Sequence, residues 1–193
     1  MTADEFTRSL RGVAAFLNRR PDALRDFEIS VAGFWRSFAA IGFTAPAYVV
    51  ALALVRRQLG LDVAGSELFD DAGLMLTVAF GHVAGFVALP LVMILIARQL
   101  DLGARYVPFV IVSNWLQVFG SFALAVPGAL LLAGWETPSL TMLFTTGFAA
   151  VLLHVQWFVT RVTLSVGGVL AACITALGLA LSLLSGVLVH ALV

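Results

Sequence analysis

Residues 72–100 read AGLMLTVAFGHVAGFVALPLVMILIARQL, and 26 of them pass before the first charged side chain, Arg98, is reached. A helix rises 1.5 Å per residue, so roughly 20 apolar residues cross the ~30 Å hydrocarbon layer of a bilayer. This stretch spans a membrane with residues to spare. It must tilt, kink or project into the interface, and Pro90 is the natural kink point. Ser66, Glu67, Asp70 and Asp71 precede it, acidic and capping residues suited to the positive end of a helix.

Working outward, hydropathy marks four further spans, giving five in all: about 32–55, 72–100, 106–132, 139–160 and 165–193. The third contains Pro108 and Pro127. Thr137 followed by Pro138 reads as an N-cap and first-turn proline opening the fourth span. Only a few residues after Arg161 separate the fourth span from the fifth, which predicts a tight helical hairpin. The expected fold is all-α: a polytopic membrane protein with an N-terminal amphipathic interfacial segment (1–30) and a five-helix transmembrane domain (31–193).

The whole-chain composition agrees. Of 193 residues 61% are hydrophobic and 11% charged, about half the charged fraction of a soluble domain, and the mean hydropathy is +1.04. No room remains for a soluble catalytic domain. Eleven basic residues balance eleven acidic ones, so net charge gives no reason to expect a nucleic-acid partner. The single cysteine, Cys173, excludes a disulfide framework, a thiolate metal cluster and a paired redox motif; in its apolar setting it reads as a small packing residue. All basic residues are arginine, and Ala, Leu, Val and Gly dominate, a composition typical of a GC-rich bacterial genome.

Charge placement is more informative than the total. With five spans, Arg8, Arg11, Arg19, Arg20, Arg25, Arg36, Arg98, Arg105 and Arg161 all fall on one side. Arg56 and Arg57 fall on the other, with Asp62, Glu67, Asp70, Asp71 and Glu136. By the positive-inside rule the N-terminus is expected in the cytoplasm and the C-terminus in the periplasm of a bacterial inner membrane. About thirty largely polar residues precede the first span, which does not fit a secretory signal, so that span is expected to be retained.

Within residues 1–30, Thr2 and Glu5 fit a capping box. At 100° per residue Phe6, Leu10, Val13, Phe16 and Leu17 share one helix face, and Asp4, Arg8, Arg11, Asn18 and Arg19 the opposite one. Such a helix either lies in the lipid interface or offers a docking surface to a partner protein. Arg20-Pro21-Asp22 ends it, residues 22–28 suit one more short turn, and Ser30 suits the cap of the first span.

Polar groups inside a bilayer are expensive and mark function. No Asp or Glu lies within any of the five spans, which argues against carboxylate-driven proton coupling and aspartyl-protease chemistry. Gly-x-Ser-x-Gly, His-Glu-x-x-His and phosphate-loop motifs are absent from the sequence. His82, His154 and His190 fall on different spans and depths, so no catalytic, cofactor or metal residues are assigned, and no enzyme is expected. Counting at 1.5 Å per residue, His154 lies ~10 Å from Arg161, Asn114 ~13 Å from Arg105, and His82 ~24 Å from Arg98. Asn114, Gln117, His154 and Gln156 therefore share a layer and form the candidate intramembrane polar site. They serve either as interhelical hydrogen bonds or as a site for solute, or for a lipid headgroup with Trp115 and Trp157. Gly81 and Gly85, and Gly178, Ser182 and Gly186, form small-residue stripes that let helices approach. Trp35, Arg36, Arg105, Tyr106, Trp135 and Arg161 sit near span ends as interfacial anchors.

Asp26-Phe27 followed by Gly33-Phe34-Trp35 at the entry to the first span is similar to the acidic, aromatic, Gly-Pro-aromatic-Trp motif of the Yip-domain superfamily, with longer spacing and no proline. The stretch 106–127 and the hairpin from Trp157 to Val193 also resemble bacterial members, so the likeness covers about residues 30–193. The resemblance implies five helices behind a cytoplasmic N-terminal region and a non-enzymatic scaffold or adaptor that binds lipid, a membrane-protein partner or itself. The GTPase binding of eukaryotic members is not carried over to a chain of bacterial composition. The alternative is a small permease or channel whose path is the polar layer between spans three and four; the lack of an internal repeat and of membrane carboxylates argues against a conventional secondary transporter.

Overall fold

The computed structural model describes residues 3–63, 65–135 and 137–192, and among these the regular structure is entirely helical. Five segments are long and apolar enough to cross a membrane: Val31–Gln58, Ala72–Gln99, Gly103–Leu132, Pro138–Leu164 and Gly168–Leu192. The chain is a multi-pass membrane protein. Its helices are α1 (Ala3–Leu17), α2 (Val31–Ala39), α3 (Ala45–Gln58), α4 (Ala72–Gln99), α5 (Gly103–Leu132), α6 (Pro138–Leu164) and α7 (Gly168–Leu192). Short 3₁₀ turns at Pro21–Asp26, Ala40–Thr44 and Gly65–Phe69 connect them.

Helix starts follow local chemistry. Ser30 Oγ accepts from the Gly33 amide at 2.9 Å, Asp71 Oδ1 from Leu74 at 2.9 Å, and Thr137 Oγ1 from Leu140 at 3.4 Å, so three orphan amides of α2, α4 and α6 are satisfied. The suggested Thr2 cap, Glu136 and the Ser66 side chain lie outside the described residues. Between α6 and α7 the chain turns through Ser165, whose φ of 51° places it in the left-handed region; Trp157 Nε1 donates to the Gly168 carbonyl across the turn at 3.0 Å.

The first span is not one continuous α-helix. Pro46 has no N–H to give to the Gly42 carbonyl, and the Ala45 amide bonds Gly42 instead, tightening residues 40–44 into a 3₁₀ turn between α2 and α3.

The fold is organised around α5. Residues 109–116 are buried without interruption, as expected of a helix apolar on every side. Its main neighbours are α6, α3, α2 and α4, with α1 against it as well; α7 packs on α4 and α6. Because lipid tails are as apolar as leucine, this burial stabilises the bundle through close packing more than through release of water.

The side of α1 that rests on the bundle carries Glu5, Ser9, Gly12, Val13 and Phe16, whereas Leu10, expected on the apolar face, is exposed. Val13 and Phe16 are buried, Phe16 meets Phe27 and Phe158, and Phe6 meets Phe43 and Trp115. Arg36, expected as an interfacial anchor, has a second role in holding this helix: its Nε donates to Glu5 Oε1 at 2.9 Å and its Nη2 pairs with Glu28 Oε2 at 2.5 Å. The Arg36 guanidinium and then the Ser30 hydroxyl hold the Glu28 carboxyl below its ordinary range. Arg36 thus joins α1, the connecting loop and α2, a link across 31 residues that spacing alone does not reveal. Tyr106 likewise turns inward, its hydroxyl donating to the Pro90 carbonyl at 3.0 Å, whereas Trp35 and Trp135 remain exposed.

Candidate functional site

Two small-residue stripes bring α4 and α7 together. A Cβ on Gly81 would overlap the Val189 side chain, and one on Gly178 would lie 3.0 Å from Leu89 Cδ2. At Gly85 and Gly186, by contrast, an added Cβ meets nothing within 4 Å. These two glycines border a cleft enclosed by α4, α5, α6 and α7.

The cleft has two adjoining parts. One, about 280 Å³, is lined by Leu89, Ser113, Gln117, Gln156, Thr175 and Ser182 among others. The second, about 270 Å³, extends toward His82, Ser185 and Val189. Gly85, Gln117, Ser121 and Ser182 border both. Among the described residues no Asp, Glu, Lys or Arg lines either part. At the end nearer the arginine-rich turns, Leu89, Met93, Phe109, Val110, Leu164 and Ile174 form a buried apolar cluster, so the cleft ends there. Its rim includes Leu124, Leu179 and Ser182, all exposed on the side of the bundle.

Each polar group has a local reason to be there. Pro90 lacks the N–H that would bond the Phe86 carbonyl one turn earlier, and Gln117 Nε2 donates to that carbonyl from α5 at 3.4 Å. Gln156 Nε2 donates to Ser113 Oγ at 3.1 Å and to Thr160 Oγ1 at 3.4 Å, joining α6 to α5. Ser121 and Ser185 return their hydroxyl protons to the Gln117 and Leu181 carbonyls of their own helices, as serines in membrane helices do. The Oε1 atoms of Gln117 and Gln156 accept no hydrogen bond among the described residues. Thr175 Oγ1 is buried and lacks a partner among the described residues, although a buried hydroxyl ordinarily has one.

His82 closes the far end. Thr44 Oγ1 lies 2.6 Å from both the Ile41 carbonyl and His82 Nε2. A hydroxyl has one proton and a carbonyl only accepts, so Thr44 donates to Ile41 and His82 donates through Nε2–H to Thr44. A neutral ring then carries its free lone pair on Nδ1. The 3₁₀ break in the first span, which presents Thr44, thereby sets the tautomer of a cleft-lining histidine.

Of the four residues expected to share a polar layer, Gln117 and Gln156 line the cleft. Asn114 is fully buried on another side of α5, where Nδ2 donates to Ser37 Oγ at 2.9 Å and Oδ1 finds no partner. His154 is exposed and bonds Arg19 at 2.8 Å. Depth grouped these residues, but azimuth separates them: His154 and Gln156, two residues apart, point ~200° apart on a helix. The added members share helix faces: Ser113 and Ser121 flank Gln117 at i, i+4 and i+8 on α5, and Thr175 and Ser182 stand at i and i+7 on α7, a helical-face signal present in the sequence. Arg105 donates to Ser165 Oγ at the α6–α7 turn, and the Arg161 guanidinium stacks 5.0 Å from the Trp157 ring centre.

The arrangement can accept and donate hydrogen bonds without offering charge. It suits an uncharged ligand, because a buried ion without a counter-charge is strongly disfavoured. Comparison with protein-family models, curated proteins and solved structures finds no match for this chain.

Proposed function

We propose that this protein is a non-enzymatic membrane adaptor that holds an uncharged, lipid-soluble amphiphile, one with hydroxyl, carbonyl or amide groups, in the cleft between α4, α5, α6 and α7. The observation that carries this reading is the charge-free polar lining, with the amide oxygens of Gln117 and Gln156 and the Thr175 hydroxyl unbonded among the described residues, at a rim facing sideways from the bundle. A ligand entering from the bilayer keeps its chains in lipid and places its polar head among Gln117, Gln156 and Thr175. The scaffold expected from the Yip-like entry motif gains from this a ligand as well as partners. The nine arginines at one end support a cytoplasmic N-terminus, and the face of α1 bearing Asp4, Arg8 and Arg11, exposed to solvent, suits the membrane surface or a partner protein.

The permease reading requires a path through both ends. The apolar cluster around Met93 and Phe109 favours a binding cleft over a pore. Native mass spectrometry of protein extracted with its lipids tests the proposal. Neutral lipid retained by the wild type and lost in Gln156→Leu with Thr175→Val supports it; equal retention refutes it. Solute flux through reconstituted liposomes, abolished by the same pair, establishes the permease instead.

A further inference from the structure

Outside the cleft, α6 carries a second constellation at its arginine-rich end. His154, Trp157 and Arg161 stand at i, i+3 and i+7, one side of a helix. The His154 and Trp157 ring centres are 5.6 Å apart, and the Arg161 guanidinium lies 5.0 Å from the Trp157 ring centre. A fourth member arrives from the end of α1. Arg19 holds a φ of 56°, uncommon for a side chain other than Gly or Asn, and from it Nη2 reaches His154 Nε2 at 2.8 Å. A guanidinium only donates, so His154 Nε2 accepts, and the ring is neutral with its proton on Nδ1.

One guanidinium therefore contacts each member of an aromatic pair, Arg19 at His154 and Arg161 at Trp157. The ion pairs found among the described residues engage Arg20 and Arg36 and leave Arg19 and Arg161 without a carboxylate. Arg19, His154 and Arg161 are exposed. The Trp157 N–H is already committed to the Gly168 carbonyl, so the ring is fixed as a platform. Fixed cations beside an indole at the end of a membrane span match the headgroup region, where tryptophan settles and basic residues meet anionic lipid. Forked guanidinium donors match the oxygens of a phosphate.

We propose that Arg19, His154, Trp157 and Arg161 form a binding site for the phosphodiester of an anionic phospholipid, which supplies the missing counter-charge and ties α1 to α6. An anionic headgroup bound along this column, with Arg19 at the His154 end, holds the end of α1 on the bundle. This site is separate from the cleft and does not depend on the reading of it.

The test places the full chain in nanodiscs of phosphatidylcholine with and without phosphatidylglycerol. It measures retained phosphatidylglycerol by native mass spectrometry and protection of α1 by hydrogen exchange. The expected result is enrichment of phosphatidylglycerol and slower exchange in α1, with Arg19→Gln and Arg161→Gln each reducing enrichment about fivefold, the value of one juxtamembrane cationic contact. Arg98→Gln removes the same charge from the same end outside the column and is expected to change little. An equal loss in Arg98→Gln, or no enrichment in the wild type, overturns the site. Equal protection of α1 by inorganic phosphate in pure phosphatidylcholine overturns the assignment to lipid.

Discussion

If Gln117 exists to satisfy the carbonyl that Pro90 leaves unbonded, its contribution must vanish when the proline does. The perturbations are Gln117→Leu, Pro90→Ala and the two together. In the wild type, leucine removes the 3.4 Å bond to the Phe86 carbonyl. Interhelical hydrogen bonds in membranes are worth about 0.6 kcal/mol on average, and this one is long for an N–H···O contact. The larger part of the loss is the carbonyl left bare inside the bundle, about 1 kcal/mol at the low end of the range for an unsatisfied buried group. Gln117→Leu is therefore expected to destabilise by about 1–1.5 kcal/mol. With alanine at 90, the restored amide bonds Phe86 within α4, and the same substitution should cost less than about 0.5 kcal/mol, since leucine also packs well beside Leu89 and Leu116. The coupling energy is then about 1 kcal/mol, measurable by reversible unfolding in bicelles as a double-mutant cycle. A Gln117→Leu cost that is equal in both backgrounds would refute the pairing and assign Gln117 to ligand binding alone.

Other outcomes follow from the same geometry. Gly81→Ala forces its new methyl into Val189 and should destabilise by about 1–3 kcal/mol, whereas Gly85→Ala, whose Cβ meets nothing within 4 Å, should fold normally; thermal unfolding in detergent separates them. Asn114→Leu should be nearly neutral, within about 1 kcal/mol, because it removes one hydrogen bond and one unsatisfied oxygen together, and Ser37 still donates to the Phe34 carbonyl. Arg36→Gln should release α1, seen as faster hydrogen exchange over residues 4–17 with α4–α7 unchanged. Acid should act in the same direction: the Glu28 carboxyl is depressed by Arg36 and Ser30 from an ordinary value of 4.5, so its share of the clasp is complete above that value and fades as pH falls through the lower, folded one. Exchange of α1 that is unchanged down to strongly acidic pH would count against a clasp built on Glu28.

What the sequence made legible and what it hid divide along one physical line. Membrane spans are set by length and apolarity, local properties, and the ends at Ser30, Asp71 and Thr137 are set by side chains bonding amides three residues on. Arg36 reaching Glu5 is a relation between distant segments, and no period in either segment announces it. Depth along the membrane is also nearly local, which is why Gln117 and Gln156 emerge together; direction around the helix axis needs the neighbours. Ser113, Gln117 and Ser121 on α5 keep one heading, as Thr175, Gly178 and Ser182 do on α7, and such a stripe is readable as a face before its partner is known. Asn114 shows the limit. Three residues from Gln117 and buried as deeply as any residue in the bundle, it serves a different interface because α5 is surrounded, and on a surrounded helix every heading meets a different neighbour.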